Sequence, residues 1–490
     1  MPDQLAAKAE DKPEAKAEPK PEPPPERESV TEGKVRGIPY RATAATYHLK
    51  DRDDESKVKA SLFHVAYVRT DVKDPSARPV TFAFNGGPGS SSVWLHLGLF
   101  GPRRVVIGEA PVAPPPPYRA VENEHTILDD SDLVMIDPVT TGWSRAVPGE
   151  DAKQFHGLKE DTESVAEFIR LWLSRNGRWE SPKFLMGESY GTTRASALAG
   201  HLTDKLGIYI NGIVLISAIL LFIGARPDTG NDLPFVLILP TYAATAWYHR
   251  VLDRRRWRSV KALADEVEAF ALGEYASVLL RGSRAGAGER RDVLERLACY
   301  TGLSERFIEA CDMRVPPHRF FKELLREQRR TVGRLDSRFL GIDRDAAGEA
   351  PEYDPAYAVI QGIYTAAVNH YLRVDLKFDN DALYDVISEK VRPWKWGEPD
   401  EAKFPEVGSA LRGALSRSPG TRVLLASGYY DLATPFAAAE WTFDHIQLDP
   451  ALRDNVTMKR YEAGHMMYIH EPSIRQLRAD LRAFMKAALP

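Results

Sequence analysis

The sequence is poor in cysteine, with only Cys299 and Cys311. That excludes a disulfide-built scaffold and a four-cysteine zinc site. An excess of charge of one sign is also missing. Lys and Arg total 65 and Asp and Glu 69, a formal net charge of −4. The basic surplus of nucleic-acid binders is absent, so no nucleic-acid partner is expected. Long apolar runs are scarce as well. The longest, Ile213–Ile223, falls short of the roughly 20 residues that cross a bilayer. It reads as a buried strand continuing into a loop or short helix, and no integral membrane segment is expected. The start of the chain shows no signal-peptide pattern as written, since Met1, Pro2, Asp3 and Gln4 lead into Lys, Glu, Pro and Ala without an apolar stretch. The expected location is the cytoplasm, or the periplasm or exterior if a leader was removed ahead of this numbering. No internal repeat is detectable.

Core-forming residues are plentiful. Hydrophobic residues make up 43% of the 490 and aromatics 10%, which excludes wholesale disorder. Residues 1–34 are the exception. Pro21, Pro23, Pro24 and Pro25 sit among Lys and Glu, and no large apolar residue separates Leu5 from Val30. Such a stretch cannot offset its ordering entropy by burial and is expected to be a solvated tail. From Gly37 onward, Tyr40–Leu49, Ser61–Arg69 and Val80–Asn85 read as strands of an antiparallel meander. Strands and helices then alternate. Asp132–Ile136 is a strand, Gly157–Ser174 a helix with Val165, Phe168, Ile169 and Trp172 at helical spacing, Phe184–Met186 a strand, Thr193–Leu206 a helix and Ile213–Ile216 a strand. The rhythm resumes with a helix at Tyr357–Leu372, a strand at Arg422–Ala426, a helix from Phe436, a strand at Val456–Tyr461 and a helix at Ile474–Ala488. This pattern implies an α/β fold with a central, mostly parallel sheet flanked by helices. Residues 219–350 interrupt it with Arg-rich helical segments and few strand signals. They are expected to form a helical cap inserted between core segments 35–218 and 351–490.

The chemistry-bearing segment is Lys183–Gly191, where a short apolar strand runs through Gly187-Glu188-Ser189-Tyr190-Gly191 into a helix. A strand–turn–helix with G-x-S-x-G is the nucleophile elbow of the α/β-hydrolase fold, which lifts the serine hydroxyl off the strand end beside a helix N-terminus. In this fold the acid and the histidine follow in chain order. Asp431 lies just past the strand that starts at Arg422, and His465 just past the strand that starts at Val456. Ser189 is thus the expected nucleophile, His465 its base and Asp431 the group that orients the imidazole. The strand Val80–Asn85 runs into the glycine-rich loop Gly86-Gly87-Pro88-Gly89, where the fold places its second oxyanion donor. The backbone N–H groups of Gly87 and Tyr190 are the expected oxyanion hole. A phosphate-binding loop is excluded because the G-K-[ST] ending is missing. No metal or organic cofactor is expected, since serine chemistry needs only a base and an oxyanion hole.

Four ordered segments carry a resemblance: Asn85–Ser91, Asp137–Ser144 around Gly142-Trp143-Ser144, Gly187–Gly191, and Ala463-Gly464-His465-Met466. Together with Asp431 they resemble the serine carboxypeptidase family over roughly residues 35–490. The resemblance implies a peptidase acting on peptide substrates from their C-terminal end. It implies that Asn85, the Gly86 N–H and a protonated Glu188 bind the terminal carboxylate, and that Met466 lines the pocket for the last side chain. A carboxyl group held protonated by burial would favour binding at acid pH. The sequence departs from the family pattern in three places. Leu97-Gly98-Leu99-Phe100 lacks the acidic partner expected for Glu188, Ser90 stands where the family often has Cys, and Tyr429 stands where it often has Asp. The family's disulfides are missing, and Cys299 and Cys311 are expected as either a pair or two reduced, half-buried thiols. Two other functions fit the same residues: an esterase or acyltransferase on this triad, and a non-catalytic binding protein that retains the fold.

Overall fold

The computed structural model describes residues 22–112, 114–397 and 404–489. Nine strands make the main path of one sheet: β1 (Glu28–Val35), β2 (Ile38–Lys50), β3 (Val58–Arg69), β4 (Val80–Phe84), β5 (Asp132–Ile136), β6 (Lys183–Glu188), β7 (Gly212–Ile216), β8 (Arg422–Gly428) and β9 (Val456–Tyr461). Their spatial order is β1-β2-β3-β5-β4-β6-β7-β8-β9, and the short strand Arg145–Ala146 adds to β3. The three pairings from β1 to β5 are antiparallel. The five from β5 to β9 are parallel.

The central strands are buried on both faces, and their alternation sorts side chains between two cores. Phe184 and Met186 of β6, Val214 and Ile216 of β7, and Leu424 and Ala426 of β8 face one core, shared with α6 (Pro355–His370) and α9 (Glu471–Ala487). Leu185, Ile213, Leu215, Val423 and Leu425 face the other. That second core is closed by α1 (Leu158–Arg175), α2 (Tyr190–Leu206), α7 (Gly408–Arg417) and α8 (Phe436–His445). Continuous apolar strands of this kind need helices on both faces.

Between β7 and α6 the chain is mainly helical, including α3 (Leu233–Tyr248), α4 (Val260–Phe270) and α5 (Ala287–Thr301). This segment packs a third apolar cluster, to which Tyr429, Tyr430, Leu432 and Phe436 of the region after β8 contribute. Arg460 at the end of β9 binds Glu268 of α4 (3.0 Å) and Glu440 of α8. The returning chain, Arg334–Phe339, is hydrogen-bonded to the loops that follow β8 and β9. Ser337 N–H donates to Tyr430 O (3.0 Å), Leu432 N–H to Arg334 O (3.1 Å) and His465 N–H to Leu335 O (2.7 Å). Asp336 and Arg338 form a buried ion pair of 2.6 Å, with Asp336 accepting from Gly464 N–H at 3.2 Å and Arg338 donating to Glu462 O at 3.1 Å.

Two expectations are corrected. The meander ends at β3, because β5 inserts between β3 and β4, and β4 runs parallel to both of its neighbours. The expected solvated tail is too long. Residues 28–34 belong to β1, which pairs with β2 from Glu28↔Ala45 to Val35↔Ile38. Backbone pairing holds them where side-chain burial is slight, which composition alone misses. Glu26 extends the contact through an ion pair with Arg175 at 2.9 Å. The part of the tail expectation that covers residues 1–21 lies outside the described residues. Cys299 and Cys311 are both free, Cys299 exposed rather than half-buried and Cys311 partly buried. Among the described residues, no helix is long and apolar enough to cross a membrane.

Candidate active site

Ser189 sits between β6 and α2 with φ 60° and ψ −130°, a conformation that L residues rarely adopt. The turn is held on both sides. Ser189 N–H donates to Ile216 O (3.0 Å), and Ser189 O accepts from Thr192 N–H (2.8 Å) and Thr192 Oγ1 (2.7 Å). Ser189 is partly exposed while its flanking residues Glu188 and Tyr190 are buried. A strained backbone so firmly over-determined is characteristic of functional turns.

Asp431 and His465 lie past the ends of β8 and β9 and meet directly, His465 Nδ1 standing 2.8 Å from Asp431 Oδ2. The other carboxylate oxygen, Asp431 Oδ1, accepts from the N–H groups of Ala433 (2.9 Å) and Thr434 (3.0 Å), and Thr434 Oγ1 donates to Oδ2 (2.7 Å). Burial acts to lower the His465 pKa, but the charge and hydrogen bond of Asp431 outweigh it, and the imidazole ends above its ordinary value. His465 is tied toward the serine through β7. Ser217 Oγ donates to His465 O (2.7 Å), and the preceding residue, Ile216, holds the Ser189 amide.

The loop after β4 lies against the start of α2. A Cβ on Gly86 would stand 2.4 Å from Tyr190 N, so only glycine allows this approach. Beneath it, Arg194 and Asp161 form a fully buried pair at 2.7 Å. Arg194 Nη1 donates to Asn85 O (2.6 Å), and Tyr190 Oη donates to Asp161 Oδ2 (3.0 Å). Gly87 has φ +103°.

Asn85 and Glu188 come together. Asn85 Oδ1 accepts from Leu95 N–H (3.0 Å), which fixes the amide so that Nδ2 donates to Glu188 Oε1 (3.0 Å). Burial raises the Glu188 pKa to about 7, against the lowering effect of His465 and of hydrogen bonds from Tyr468 and Asn85. Met466 is buried next to His465.

The nine expected site residues lie at or just past the C-terminal ends of β4, β6, β8 and β9, and direct hydrogen bonds join Asp431 to His465 and Asn85 to Glu188. Sequence reasoning missed three supporting groups. Thr434 and Tyr468 each lie three residues beyond a predicted site residue, where a turn returns a side chain to its predecessor. The Arg194–Asp161 pair joins two helices and leaves no local signal.

Elsewhere, Glu124, His125 and Glu471 present ligand atoms within 4.8 Å of one another. Arg104 pairs with both carboxylates, at 2.7 Å and 3.1 Å, so the cluster is neutralised by protein charge. An open groove of about 1160 Å³ runs past α1, α2 and α7 and shares no residue with the site.

The chain is similar to known proteins. A family model described as serine carboxypeptidase matches residues 49–471. Serine carboxypeptidase-like 33 of Arabidopsis thaliana is 24% identical over 197 residues, a stretch spanning 39% of this chain and 38% of the relative. Among solved structures, Kex1(delta)p, a prohormone-processing carboxypeptidase from Saccharomyces cerevisiae, is similar with a TM-score of 0.52 at 16% identity, covering 92% of this chain and 91% of that one. That similarity shows a shared α/β-hydrolase fold.

Proposed function

The chain belongs to the serine carboxypeptidase family, and on that premise we propose that it releases C-terminal residues from peptides through an acyl-enzyme on Ser189. His465 takes the Ser189 hydroxyl proton as Oγ attacks the last peptide carbonyl, and Asp431 holds the imidazole in the tautomer that accepts it. The backbone N–H groups of Gly87 and Tyr190 receive the negative charge that develops on the carbonyl oxygen. The proton on His465 passes to the leaving amine. Water, deprotonated by the same histidine, then cleaves the ester and restores the serine.

The observation that carries the reading is a carboxyl group one residue before the nucleophile. It is buried, held by Asn85 and poised to be protonated near neutrality. A protonated Glu188 donates to a substrate carboxylate, and an ionised one repels it. Asn85 Nδ2 carries a second N–H for the same carboxylate, and the Gly86 N–H adds another. Anchoring the chain end there leaves only the final carbonyl within reach of Ser189. Met466 borders the place of the last side chain, and residues 219–350 act as the cap above it. An esterase would have no use for this anchor.

The test compares kcat/KM for matched peptides with free and amidated C-termini. The free acid is favoured by about one to two powers of ten, the worth of charge-assisted hydrogen bonds. Asn85→Ala combined with Glu188→Gln abolishes most of that ratio. Equal rates on the two peptides at every pH would replace this reading with the esterase one.

A further inference from the structure

Two tyrosines at the site have no task in the reaction as derived. Tyr468, in the turn Met467–Ile469, is buried, and its hydroxyl donates to Glu188 Oε2 at 2.5 Å. Tyr364, on α6, is fully buried, and among the described residues its hydroxyl has no hydrogen-bond partner. The two rings converge on Gly98. A Cβ there would stand 2.4 Å from Tyr468 Cε2 and 2.6 Å from Tyr364 Oη. Any side chain at position 98 would push both rings aside. The Tyr364 hydroxyl lies within electrostatic reach of both Glu188 and Tyr468.

A buried hydroxyl with nothing to bond is costly to keep, and such an orphan at a functional site calls for an explanation. A carboxylate bound beside Glu188 would supply one. We propose that Tyr468 and Tyr364 complete the terminal-carboxylate site, Tyr468 as a positioning residue that fixes the Glu188 carboxyl and Tyr364 as a further donor satisfied by the bound carboxylate. The proposal rests on the reading of Glu188 given above. It also accounts for a site that works without a second acidic residue near Leu99, because the neighbour of the carboxyl is a neutral donor.

The groups facing Glu188 are Asn85 at the end of β4, Asp431 and His465 from the loops after β8 and β9, Tyr468 from the following turn and Tyr364 from α6. Arg104 acts electrostatically on Tyr364. Burial keeps both tyrosines protonated far above neutrality. The hydrogen bond from Tyr468 favours the ionised form of Glu188 and so holds its pKa down. Removing it lets the pKa rise.

The experiment measures kcat/KM for the free-acid and amidated peptides from pH 5 to 9 in wild type, Tyr468→Phe and Tyr364→Phe. In wild type the ratio of the two falls as pH rises through about 7, following Glu188. In Tyr468→Phe the fall moves to higher pH. In Tyr364→Phe the ratio drops about tenfold at every pH. The position of its fall is unchanged, and the variant melts no lower than wild type because it loses an unsatisfied group. A fall at the wild-type pH in Tyr468→Phe overturns the positioning role. A wild-type ratio in Tyr364→Phe overturns the donor role. If a tyrosine variant fails to fold, Gly98→Ala displaces both rings with the hydroxyls intact. It must lower the ratio, and an unaltered ratio there overturns the proposal. Equal wild-type rates on the two peptides refute the carboxypeptidase reading itself, a result separable from either variant outcome.

Discussion

Replacing Glu188 with glutamine removes an ionisable group from a buried site while keeping its shape. The consequence for stability can be worked out in sign and size. The carboxyl has an ordinary pKa of 4.5 and reaches about 7 in the folded chain, chiefly through burial. Between these values the unfolded chain has released its proton and the folded chain still holds it. The folded state then binds more protons, so stability falls as pH rises from about 4.5 to about 7 and levels off above. The gap corresponds to about 3 kcal/mol. Glutamine does not titrate. Its carbonyl oxygen still accepts from Asn85 Nδ2, and its amide can donate to the Tyr468 oxygen. His465 adds in the same direction. Its raised pKa contributes stability that is lost as pH climbs through the folded value, and part of that rise comes from Glu188. Glu188→Gln therefore gains on wild type by about 3 kcal/mol between pH 4.5 and pH 8. Urea midpoints for the two proteins at several pH values measure this. Curves that stay parallel from pH 4.5 to 8 would refute the burial argument.

Ser189→Ala lowers kcat on the order of a million-fold if the triad acts as a unit. Ser189→Gly is equally inactive but more stable than the alanine variant by about 1–2 kcal/mol, because glycine relieves the positive φ; thermal melting of the two compares them. Deleting residues 1–34 lowers Tm, since it removes all but one residue of β1 and its pairing with β2. An unchanged melt would show that this edge strand adds nothing.

The parallel half of the sheet was legible because β6 and β7 are short apolar runs joined to amphipathic helices, and the site residues could be placed because each follows a strand. β1 was not legible. Its residues Glu28–Lys34 alternate exposed with half-buried side chains, Val35 alone reaching the core, and they owe their order to a backbone ladder. The position of β5 between β3 and β4 was hidden for a similar reason, since no local pattern states which strand a strand will pair with. At the site, Ser189, Asp431 and His465 could be ordered from the chain, and Glu188 followed from the resemblance. Tyr364 could not be found. It lies 176 residues beyond Glu188 in the chain, on a helix whose apolar spacing reads as ordinary core.

The tether at Arg334–Phe339 has a mechanical consequence. One short segment bonds to Tyr430, Leu432, Glu462, Gly464 and His465, so the downstream neck of the helical segment and the two loops bearing Asp431 and His465 form a single load path. A swinging motion of the helices pivoting at that neck would pull the acid and the base with it. The upstream neck, between β7 and α3, can hinge without disturbing these residues only beyond Ile219, because Ser217 holds His465 and Ile219 is bonded to Thr192 and Thr193. The same logic sets the seam for chimeras. Helices grafted from a relative can be exchanged up to Val332, but a junction placed beyond Arg334 would cut the brace that keeps the imidazole and its carboxylate in register.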